Sequence, residues 1–376
     1  MRYFLVAGEA SGDLHAANLM REIKRLDSDA AFRFFGGDKM AAVGGTPVMH
    51  YRDMAYMGFV DVLLHARSLL RIMDRCKQEI ERWKPDVVVL VDYASFNLRI
   101  AQFVKTHLPG LPVHFYISPK LWAWKSYRIR SFKRYIDKLY VIFPFEPAFF
   151  EHYAYTATYV GNPSVDSVSE HLAASQTDVS AFRSKHGLDY RPILALLPGS
   201  RRSEIKGNLP LMMDTAARFP DFQVVVAGAP GVPLDYYTSY MPAGIPLLFD
   251  STYFLLQYAH TALVTSGTAT LETALFSVPQ VVCYAVGGGF MANLGFKLFM
   301  KVPFISLVNL IVGKELVPEL MGGKLTRKRA ALALEPLLGD TPERKVMLDG
   351  YAAMKNLLGG PGAAARTAEL IVSSLR

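Results

Sequence analysis

The chain has 376 residues, of which 51% are hydrophobic and 20% charged, so it is long enough for two domains and too apolar in composition to be disordered. Its net charge of +8 predicts an anionic partner: nucleic acid, a phosphorylated ligand or an acidic lipid surface. The two cysteines lie far apart and form no CxxC motif, so neither a disulfide framework nor a zinc site is indicated. The N-terminus leads into a first strand instead of a signal peptide, and we therefore expect a cytoplasmic protein.

The first half of the chain alternates apolar, strand-like runs with segments of helical periodicity. Strands are predicted at 3–7, 31–35, 87–91, 113–117, 138–143 and 158–160, and helices at 14–25, 68–83 and 97–107. Continuous apolar strands that alternate with helices predict a parallel sheet covered on both faces.

A second series of the same kind follows a charged helical stretch at 166–186. Its strands are predicted at 193–197, 222–227, 246–249, 262–265 and 280–284, and its helices at 204–218, 253–258 and 268–276. The fold class is therefore α/β, with two doubly wound Rossmann-like domains that face each other across a cleft and bind ligands at the carboxyl ends of their strands. We expect domains at 1–165 and 166–345, and a C-terminal helical segment at 346–376 that is able to cross back onto the first domain.

The turn after the first strand, at 8–13 (GEASGD), occupies the position of a Rossmann fingerprint. Carboxylates stand where a dinucleotide phosphate would lie and the GxGxxG spelling is absent, which disfavours a nicotinamide cofactor. We interpret the turn as part of a substrate site; an ordinary βα turn is the alternative.

Asp92 ends the most hydrophobic strand of the chain, DVVVLVD. A carboxylate at the carboxyl end of a central parallel strand is partly desolvated, which raises its pKa and suits a general base. Asp92 is thus the leading catalytic candidate, and a helix cap is the alternative.

Two loops of the second half suit a diphosphate. The segment 266–270 (SGTAT) leads from a strand into a helix whose N-terminus attracts anions, and Glu272 lies one turn further, where it can accept hydrogen bonds from ribose hydroxyls. The segment 198–200 (PGS) is followed by Arg201 and Arg202, which offer guanidinium groups. No GxxxxGK[ST] sequence occurs, so a P-loop NTPase is disfavoured.

Two further stretches suggest contact with a large anionic or apolar partner. Residues 120–134 (KLWAWKSYRIRSFKR) carry six basic and no acidic residues with interleaved aromatics, a mixture that suits either nucleic-acid bases or a membrane interface. Residues 276–313 are apolar but interrupted by proline and glycine, so we expect buried core or a lipid-touching patch instead of a membrane-spanning helix. No HxxxH or HExxH motif indicates a metal.

The motifs that carry a family resemblance are spread over nearly the whole chain. They are VAGEASGD at 6–13, AYMGFVDVL at 55–63, VDYASFN at 91–97, ISPKLWAW at 117–124, LPGSRRSEI at 197–205, TSGTATLE at 265–272 and SLVNLIVGKELVPEL at 306–320. In order and spacing they resemble the lipid-A-disaccharide synthases, a family of GT-B glycosyltransferases. The resemblance implies transfer of 2,3-diacylglucosamine from its UDP derivative to the 6-hydroxyl of 2,3-diacylglucosamine 1-phosphate (lipid X), with inversion and without a metal cofactor.

The resemblance and the residue patterns together assign roles to particular positions. Asp92 matches the family's proposed base. The remaining positions are Ser200, Arg201, Ser266, Gly267, Thr268, Ala269, Glu272 and Asn309 for the UDP donor; Glu9, Ser11, Met57, Asn97 and Ser118 for the acceptor; and Trp122, Trp124, Lys125, Arg128, Phe290 and Phe296 for the membrane surface. The implied location is the cytoplasmic side of the anionic inner membrane, as a peripheral protein, and a homodimer is left open.

The chain departs from the family pattern at two points. Many members have a second aspartate at the position of Ser95, so either that carboxylate is not the base or its role has moved to Glu9 or Asp13. Members often have histidine at the position of Asn162. The alternatives that the residues leave open are another GT-B UDP-sugar transferase or epimerase, and a non-catalytic two-lobed binding protein.

Overall fold

A computed structural model of the chain describes residues 1–54, 66–123, 126–175, 178–285 and 302–376. The chain divides into two compact units, one made of Met1–Pro163 with Pro361–Arg376 and the other of Ser164–Gly360. The segment expected at 346–376 is therefore split, because its residues up to Gly360 belong to the second unit and only the last helix joins the first.

The first unit contains one sheet of seven parallel strands in the order β3-β2-β1-β4-β5-β6-β7. The strands are β1 (Arg2–Ala7), β2 (Ala31–Gly36), β3 (Thr46–His50), β4 (Val87–Val91), β5 (Val113–Tyr116), β6 (Lys138–Val141) and β7 (Thr158–Tyr159). The helices are α1 (Ala10–Leu26), α2 (Asp38–Val43), α3 (Tyr51–Met54), α4 (Ala66–Trp83), α5 (Ala94–His107), α6 (Ile129–Tyr135), α7 (Glu146–Glu151) and the C-terminal helix (Ala363–Leu375), with a 3-10 turn at Ser126–Arg128.

The central strand β4 shows why this sequence forms a sheet covered on both faces. All five of its residues are buried. Val88 and Leu90 point into one hydrophobic cluster, whereas Val87, Val89 and Val91 point into the other. Alternate side chains of a strand face opposite sides, so an unbroken apolar run fits a strand with helices on both sides.

The second unit repeats this plan with six parallel strands in the order β10-β9-β8-β11-β12-β13. The strands are β8 (Ile193–Leu197), β9 (Gln223–Gly228), β10 (Leu247–Phe249), β11 (Ala259–Thr265), β12 (Gln280–Tyr284) and β13 (Glu319–Met321). The helices are α8 (Pro163–Ala174), which begins at the boundary, α9 (Val179–His186), α10 (Arg202–Ala216), α11 (Leu234–Thr238), α12 (Thr252–Tyr258), α13 (Thr268–Leu275), α14 (Leu307–Val312), α15 (Arg327–Leu334) and α16 (Pro342–Leu358), with 3-10 turns at Gly322–Lys324 and Glu335–Leu337. The predicted pair of doubly wound Rossmann-like domains is confirmed.

In each sheet the strand order reverses at one place: between β1 and β4 in the first unit and between β8 and β11 in the second. The carboxyl ends of the two strands in each pair lie side by side: Ala7 is beside Val91, and Leu197 is beside Val264. Ligands of doubly wound sheets bind at such a reversal, outside the carboxyl ends of the strands. The loops that follow β1, β4, β8 and β11 contain the predicted base and most of the predicted UDP-binding residues.

The C-terminal helix should contribute to the stability of the first unit, although it is distant in sequence. Ile371 is fully buried in the same cluster as Ala16 and Met20 of α1, whereas the neighbouring Leu370 is 39% exposed. We expect Ile371→Ala to lower the free energy of unfolding of the first unit by about 2–5 kcal/mol in urea titrations followed by circular dichroism. Leu370→Ala is the matched control and should change it by about 0.5 kcal/mol or less; equal losses in both variants would contradict this packing.

Candidate active site

Asp92 lies in an unusual backbone conformation directly after β4. Its φ is 48° and that of Tyr93 is 46°, so two consecutive residues other than glycine occupy the left-handed region. The conformation is held from both sides: the Asp92 amide donates to the Tyr116 carbonyl at 3.0 Å, and Asn97 Nδ2 donates to the Asp92 carbonyl at 2.7 Å. Strained backbone that the surroundings enforce is concentrated at functional sites.

The neighbouring strand β5 ends in the same way. Ile117, which is β-branched, has a φ of 67°, and its amide donates to the Tyr140 carbonyl at 3.0 Å. Ser118 follows; it is buried, and its hydroxyl donates to the Pro119 carbonyl at 2.9 Å. The carboxyl ends of two adjacent strands thus both carry strained residues, which marks this edge of the sheet as the candidate catalytic edge.

The surroundings of Asp92 give its carboxyl a pKa suited to proton transfer at neutral pH. Burial raises the pKa to about 6, and the negative charge of Glu9 raises it as well. The backbone hydrogen bond from Tyr93 and the positive charge of Lys120 act in the opposite direction. A carboxylate of this kind is ionised at pH 7 and still accepts a proton readily.

The turn after β1 lies beside Asp92 at the reversal of strand order. Glu9 and Ser11 are exposed there, at the start of α1. A Cβ atom on Gly8 would lie 2.2 Å from the Tyr93 ring, so only glycine permits this approach of the two loops. The turn is therefore fitted closely to the residue that follows Asp92.

Asp13 does not take over the role of a base. It is buried, with Oδ1 accepting from the amides of Gly37 at 2.8 Å and Met40 at 3.1 Å and Oδ2 accepting from that of Lys39 at 3.1 Å. These bonds cap the N-terminus of α2. The sequence analysis named Glu9 and Asp13 as residues to which the role of base could have moved. For Asp13 this is wrong, because its carboxylate is buried and used as a cap. Glu9 is close enough to influence the pKa of Asp92.

Asn97 was predicted to line the acceptor site, and the structure corrects this. Its side chain is fully buried, and Nδ2 donates to the carbonyls of Asp92, Val91 and Val6. Asn97 therefore holds the ends of β1 and β4 together and positions Asp92 instead of touching a substrate.

Ser95, where the family resemblance leads us to expect a second aspartate, accepts a hydrogen bond from Arg128 Nη2 at 3.1 Å. Arg128 was predicted to face a membrane; in the structure its guanidinium reaches the first turn of α5. A neutral hydroxyl here leaves Asp92 as the carboxylate at the end of β4.

Trp122 was also predicted to face the membrane, and this is wrong. Its side chain is buried, and Nε1 donates to Glu146 Oε1 at 3.2 Å. The indole packs edge-on against Phe143 and Phe145. Glu146 also accepts from two backbone amides, and burial raises the pKa of its carboxyl to about 7. Of the other predictions, Met57, Trp124, Lys125, Phe290 and Phe296 lie outside the described residues.

The loop after β8 forms an anion-binding turn that a side chain of the protein already uses. Gly199 has a φ of 115°. Glu204 Oε2 accepts from the amides of Ser200 at 3.0 Å and Arg201 at 3.3 Å, while Oε1 lies 3.2 Å from Arg201 Nη1. The Arg201 side chain is nevertheless 79% exposed, so its remaining donors face solvent, where a second anion can approach.

The loop after β11 leaves the N-terminus of α13 open. Gly267 precedes this helix with a φ of 155°, and no described atom lies within 4 Å of a Cβ built on it. The amides of Thr268 and Ala269 belong to the first helical turn and have no acceptor within the helix. Together with the helix dipole they favour an anion at this position.

Asn309, a predicted donor contact, is corrected by its hydrogen bonds. It is fully buried, with Nδ2 donating to the Val317 carbonyl and Glu319 Oε1, and Oδ1 accepting from the amides of Leu316 and Val317. No capacity of the amide remains for a ligand. The Asn309 side chain instead binds the Glu319 carboxylate and the backbone amides of Leu316 and Val317.

Glu319 is a residue that sequence reasoning missed. Its carboxylate accepts from the amides of Ile305 at 2.8 Å and Ser306 at 2.9 Å, and from the Ser306 hydroxyl at 2.7 Å. The Ile305 carbonyl accepts from Ser266 Oγ at 2.8 Å. Glu319 therefore fixes the segment on which Ser266 rests; it lies on β13, which the sequence pattern did not predict.

Glu272 lies one turn inside α13 and is partly buried. Burial raises the pKa of its carboxyl, and a hydrogen bond from the Tyr253 hydroxyl at 2.9 Å opposes this.

No cluster of three or more His, Cys, Asp or Glu side chains suited to a metal ion occurs in the part of the chain that is described.

The comparisons with known proteins agree with this geometry. A family model described as lipid-A-disaccharide synthetase matches residues 3–360. The chain belongs to this family. The lipid-A-disaccharide synthase of Myxococcus xanthus is 38% identical over 382 residues, which cover 100% of this chain and 97% of the relative.

Two solved structures support the fold. The UDP-GlcNAc 2-epimerase of Neisseria meningitidis, bound to UDP-GlcNAc, superposes with a TM-score of 0.66 at 12% identity, covering 100% of this chain and 99% of that one. The glycosyltransferase SnogD of Streptomyces nogalater has a TM-score of 0.54 at 17% identity, with 100% and 99% covered. The lipid-A-disaccharide synthetase family thus shares its two-domain architecture with both transferases and epimerases.

The pKa of Asp92 predicts the acid limb of the pH profile. The base must be ionised, so kcat/KM should fall as the pH drops through about 6. Glu9→Gln removes a negative charge that raises this pKa and should shift the limb to lower pH. Glu22→Gln is the control, because Glu22 lies on α1, the helix that follows Glu9, and is paired with Arg25. It should leave the pH dependence of kcat/KM unchanged. An unchanged profile in the Glu9 variant would refute the electrostatic coupling.

Proposed function

We propose that the protein is an inverting glycosyltransferase that condenses UDP-2,3-diacylglucosamine with 2,3-diacylglucosamine 1-phosphate, giving the β-1,6-linked disaccharide 1-phosphate and UDP. Family membership supports the reaction. The observation that carries the mechanism is Asp92, a strained, partly buried carboxylate with a pKa near 6 at the reversal of strand order in the first sheet.

Asp92 is the proposed general base. As the 6-oxygen of the acceptor attacks the anomeric carbon of the donor, its proton passes to the Asp92 carboxylate. The bond between that carbon and the UDP oxygen breaks, and a single displacement inverts the centre. One base is sufficient because no covalent intermediate is formed. The exposed residues Glu9 and Ser11 are proposed to contact the acceptor beside this base.

The second unit is proposed to hold the donor. Negative charge develops on the β-phosphate as UDP departs, and groups fixed beforehand stabilise such charge most effectively. Arg201 and the first-turn amides of Thr268 and Ala269 are the proposed partners. Ser200 and Gly267 shape the two loops, as does Ser266, whose hydroxyl donates to the Ile305 carbonyl. Glu272 accepts from the ribose hydroxyls. We propose that these groups meet the charge without a metal ion.

The substrates connect the protein with a membrane. They carry four acyl chains in total, and exposing each CH₂ to water costs about 0.8 kcal/mol. We therefore propose peripheral binding at the cytoplasmic side of the anionic inner membrane. The exposed side chains of Tyr127 (68%) and Leu70 (53%), close in sequence to Arg128, Arg130 and Arg71, support this. None of the helices within the described ranges has both the length and the apolar character needed to span a bilayer.

The reaction is tested by mass spectrometry of the products after both substrates are mixed with the purified protein in detergent micelles, with and without a chelator. A tetra-acyl disaccharide 1-phosphate and UDP are expected in both conditions. UDP without the disaccharide would mean that the acceptor is wrong, and dependence on added magnesium would refute the metal-free mechanism. An epimerised UDP-sugar would favour the alternative that the fold also accommodates.

Replacement of Asp92 tests the base separately from nucleotide binding. Asp92→Asn should reduce kcat by about 100-fold or more, since proton transfer contributes about 10²–10⁴-fold, whereas UDP affinity should persist. Asp86→Asn is the matched control, because Asp86 lies at the opposite end of β4 and accepts from the Arg2 amide. Loss of UDP binding in the Asp92 variant would indicate a structural role instead.

Replacement of Arg201 tests the diphosphate site. Arg201→Ala should weaken UDP binding by about tenfold or more in isothermal titration, since hydrogen bonds to charged groups contribute about 1.5–3 kcal/mol. Arg191→Ala serves as the control, because Arg191 precedes β8, at the opposite end of the strand from Arg201, and its guanidinium is paired with Asp189 at 2.6 Å. Unchanged UDP affinity in the Arg201 variant would remove it from the site.

A further inference from the structure

The side chain of Tyr253 connects Glu272 with two other helices of the second unit. The Tyr253 hydroxyl donates to Glu272 Oε1 at 2.9 Å, and its ring packs against His171 of α8. Tyr253 is on α12 and Glu272 on α13, so the contacts join three separate helices. The site described above uses Glu272 but gives no role to Tyr253.

The direction of the hydrogen bond is set by its chemistry. A glutamate that is ionised has only acceptor oxygens, so the phenol proton of Tyr253 must point toward Oε1. Burial and the negative charge of Glu272 both raise the pKa of Tyr253, so the phenol keeps this proton. The Tyr253 hydroxyl is thereby directed at one of the two oxygens of Glu272.

The Tyr253 ring is itself fixed by its neighbours. His171 meets it edge-on with ring centres 5.5 Å apart, and Phe276 does so at 5.3 Å. His171 Nε2 also contacts Gln257 Oε1 at 3.0 Å. Tyr253 and Gln257 are one turn apart on α12, and His171 of α8 contacts both of them, so these contacts hold α8 against α12.

We propose that Tyr253 is a positioning residue for nucleotide recognition: its hydroxyl immobilises Oε1 of Glu272, which leaves Oε2 to accept hydrogen bonds from the ribose of the bound uridine nucleotide. The inference rests on the proposed role of Glu272 in the donor site. A glutamate side chain has several free torsions and loses conformational entropy when a ligand fixes it. Tyr253 removes this freedom before the nucleotide arrives, which strengthens the ribose contact.

The test compares UDP with 2′,3′-dideoxy-UDP, which lacks both ribose hydroxyls, by isothermal titration. The wild-type protein should prefer UDP. Tyr253→Phe retains the ring packing and removes the hydroxyl, and it should weaken UDP binding by about five- to tenfold while leaving the affinity for the dideoxy compound unchanged. In a Glu272→Gln background the same change should have no further effect on the preference for UDP.

A matched control distinguishes positioning from general loosening of the fold. Tyr351 is fully buried, and its hydroxyl accepts from Gln280 Nε2, which also donates to the Thr270 carbonyl of α13 at 2.9 Å. Tyr351→Phe thus removes a hydroxyl anchored to the same helix without touching Glu272. It should lower stability and leave the ratio of the two affinities at the wild-type value.

The outcomes separate the two hypotheses. If the wild type prefers UDP and Tyr253→Phe keeps the full preference, the positioning role is refuted while the donor site stands. If the wild type binds both nucleotides equally, the ribose role of Glu272 fails, and this inference fails with it. If it binds neither, the proposed function is overturned.

Discussion

The reversal of strand order in each parallel sheet is the constraint on which the candidate site depends. At this point the loops that follow two adjacent strands diverge to opposite faces of the sheet and leave a space for ligands. Asp92 and the 8–13 turn follow β4 and β1, and the two loops proposed to bind the diphosphate follow β8 and β11. Within each unit, topology thus brings the candidate residues together, although the two strands of each pair are far apart in sequence.

The rigidity of the sheets permits backbone strain at their edges. Asp92, Tyr93 and Ile117 have positive φ values, a conformation that costs of order 1–3 kcal/mol for each residue. Proteins retain such strained conformations only where the surrounding structure holds the backbone in place. The strands behind these residues are fully buried, and the Asp92 and Ile117 amides bond to neighbouring strands. The hydrophobic core therefore fixes the backbone that carries Asp92, the proposed base.

The sequence predicted the parts of this structure that depend on local pattern. The bounds of β8 and β12 and the position of Asp92 follow from apolar runs and their ends. Two edge strands were missed, because β3 contains Pro47 and β13 is only three residues long. Asn309 and Trp122 were given the wrong roles, since their partners, Glu319 and Glu146, are set by tertiary packing that no local pattern reveals.

The roles proposed for the two units require opposite electrostatic surroundings. A general base is effective when its pKa is raised, and cations beside it reduce that pKa, as Lys120 does to Asp92. A departing diphosphate requires those same cations and helix N-termini. With Arg201 and α13 in one unit and Glu9 beside Asp92 in the other, each group has neighbours suited to its task.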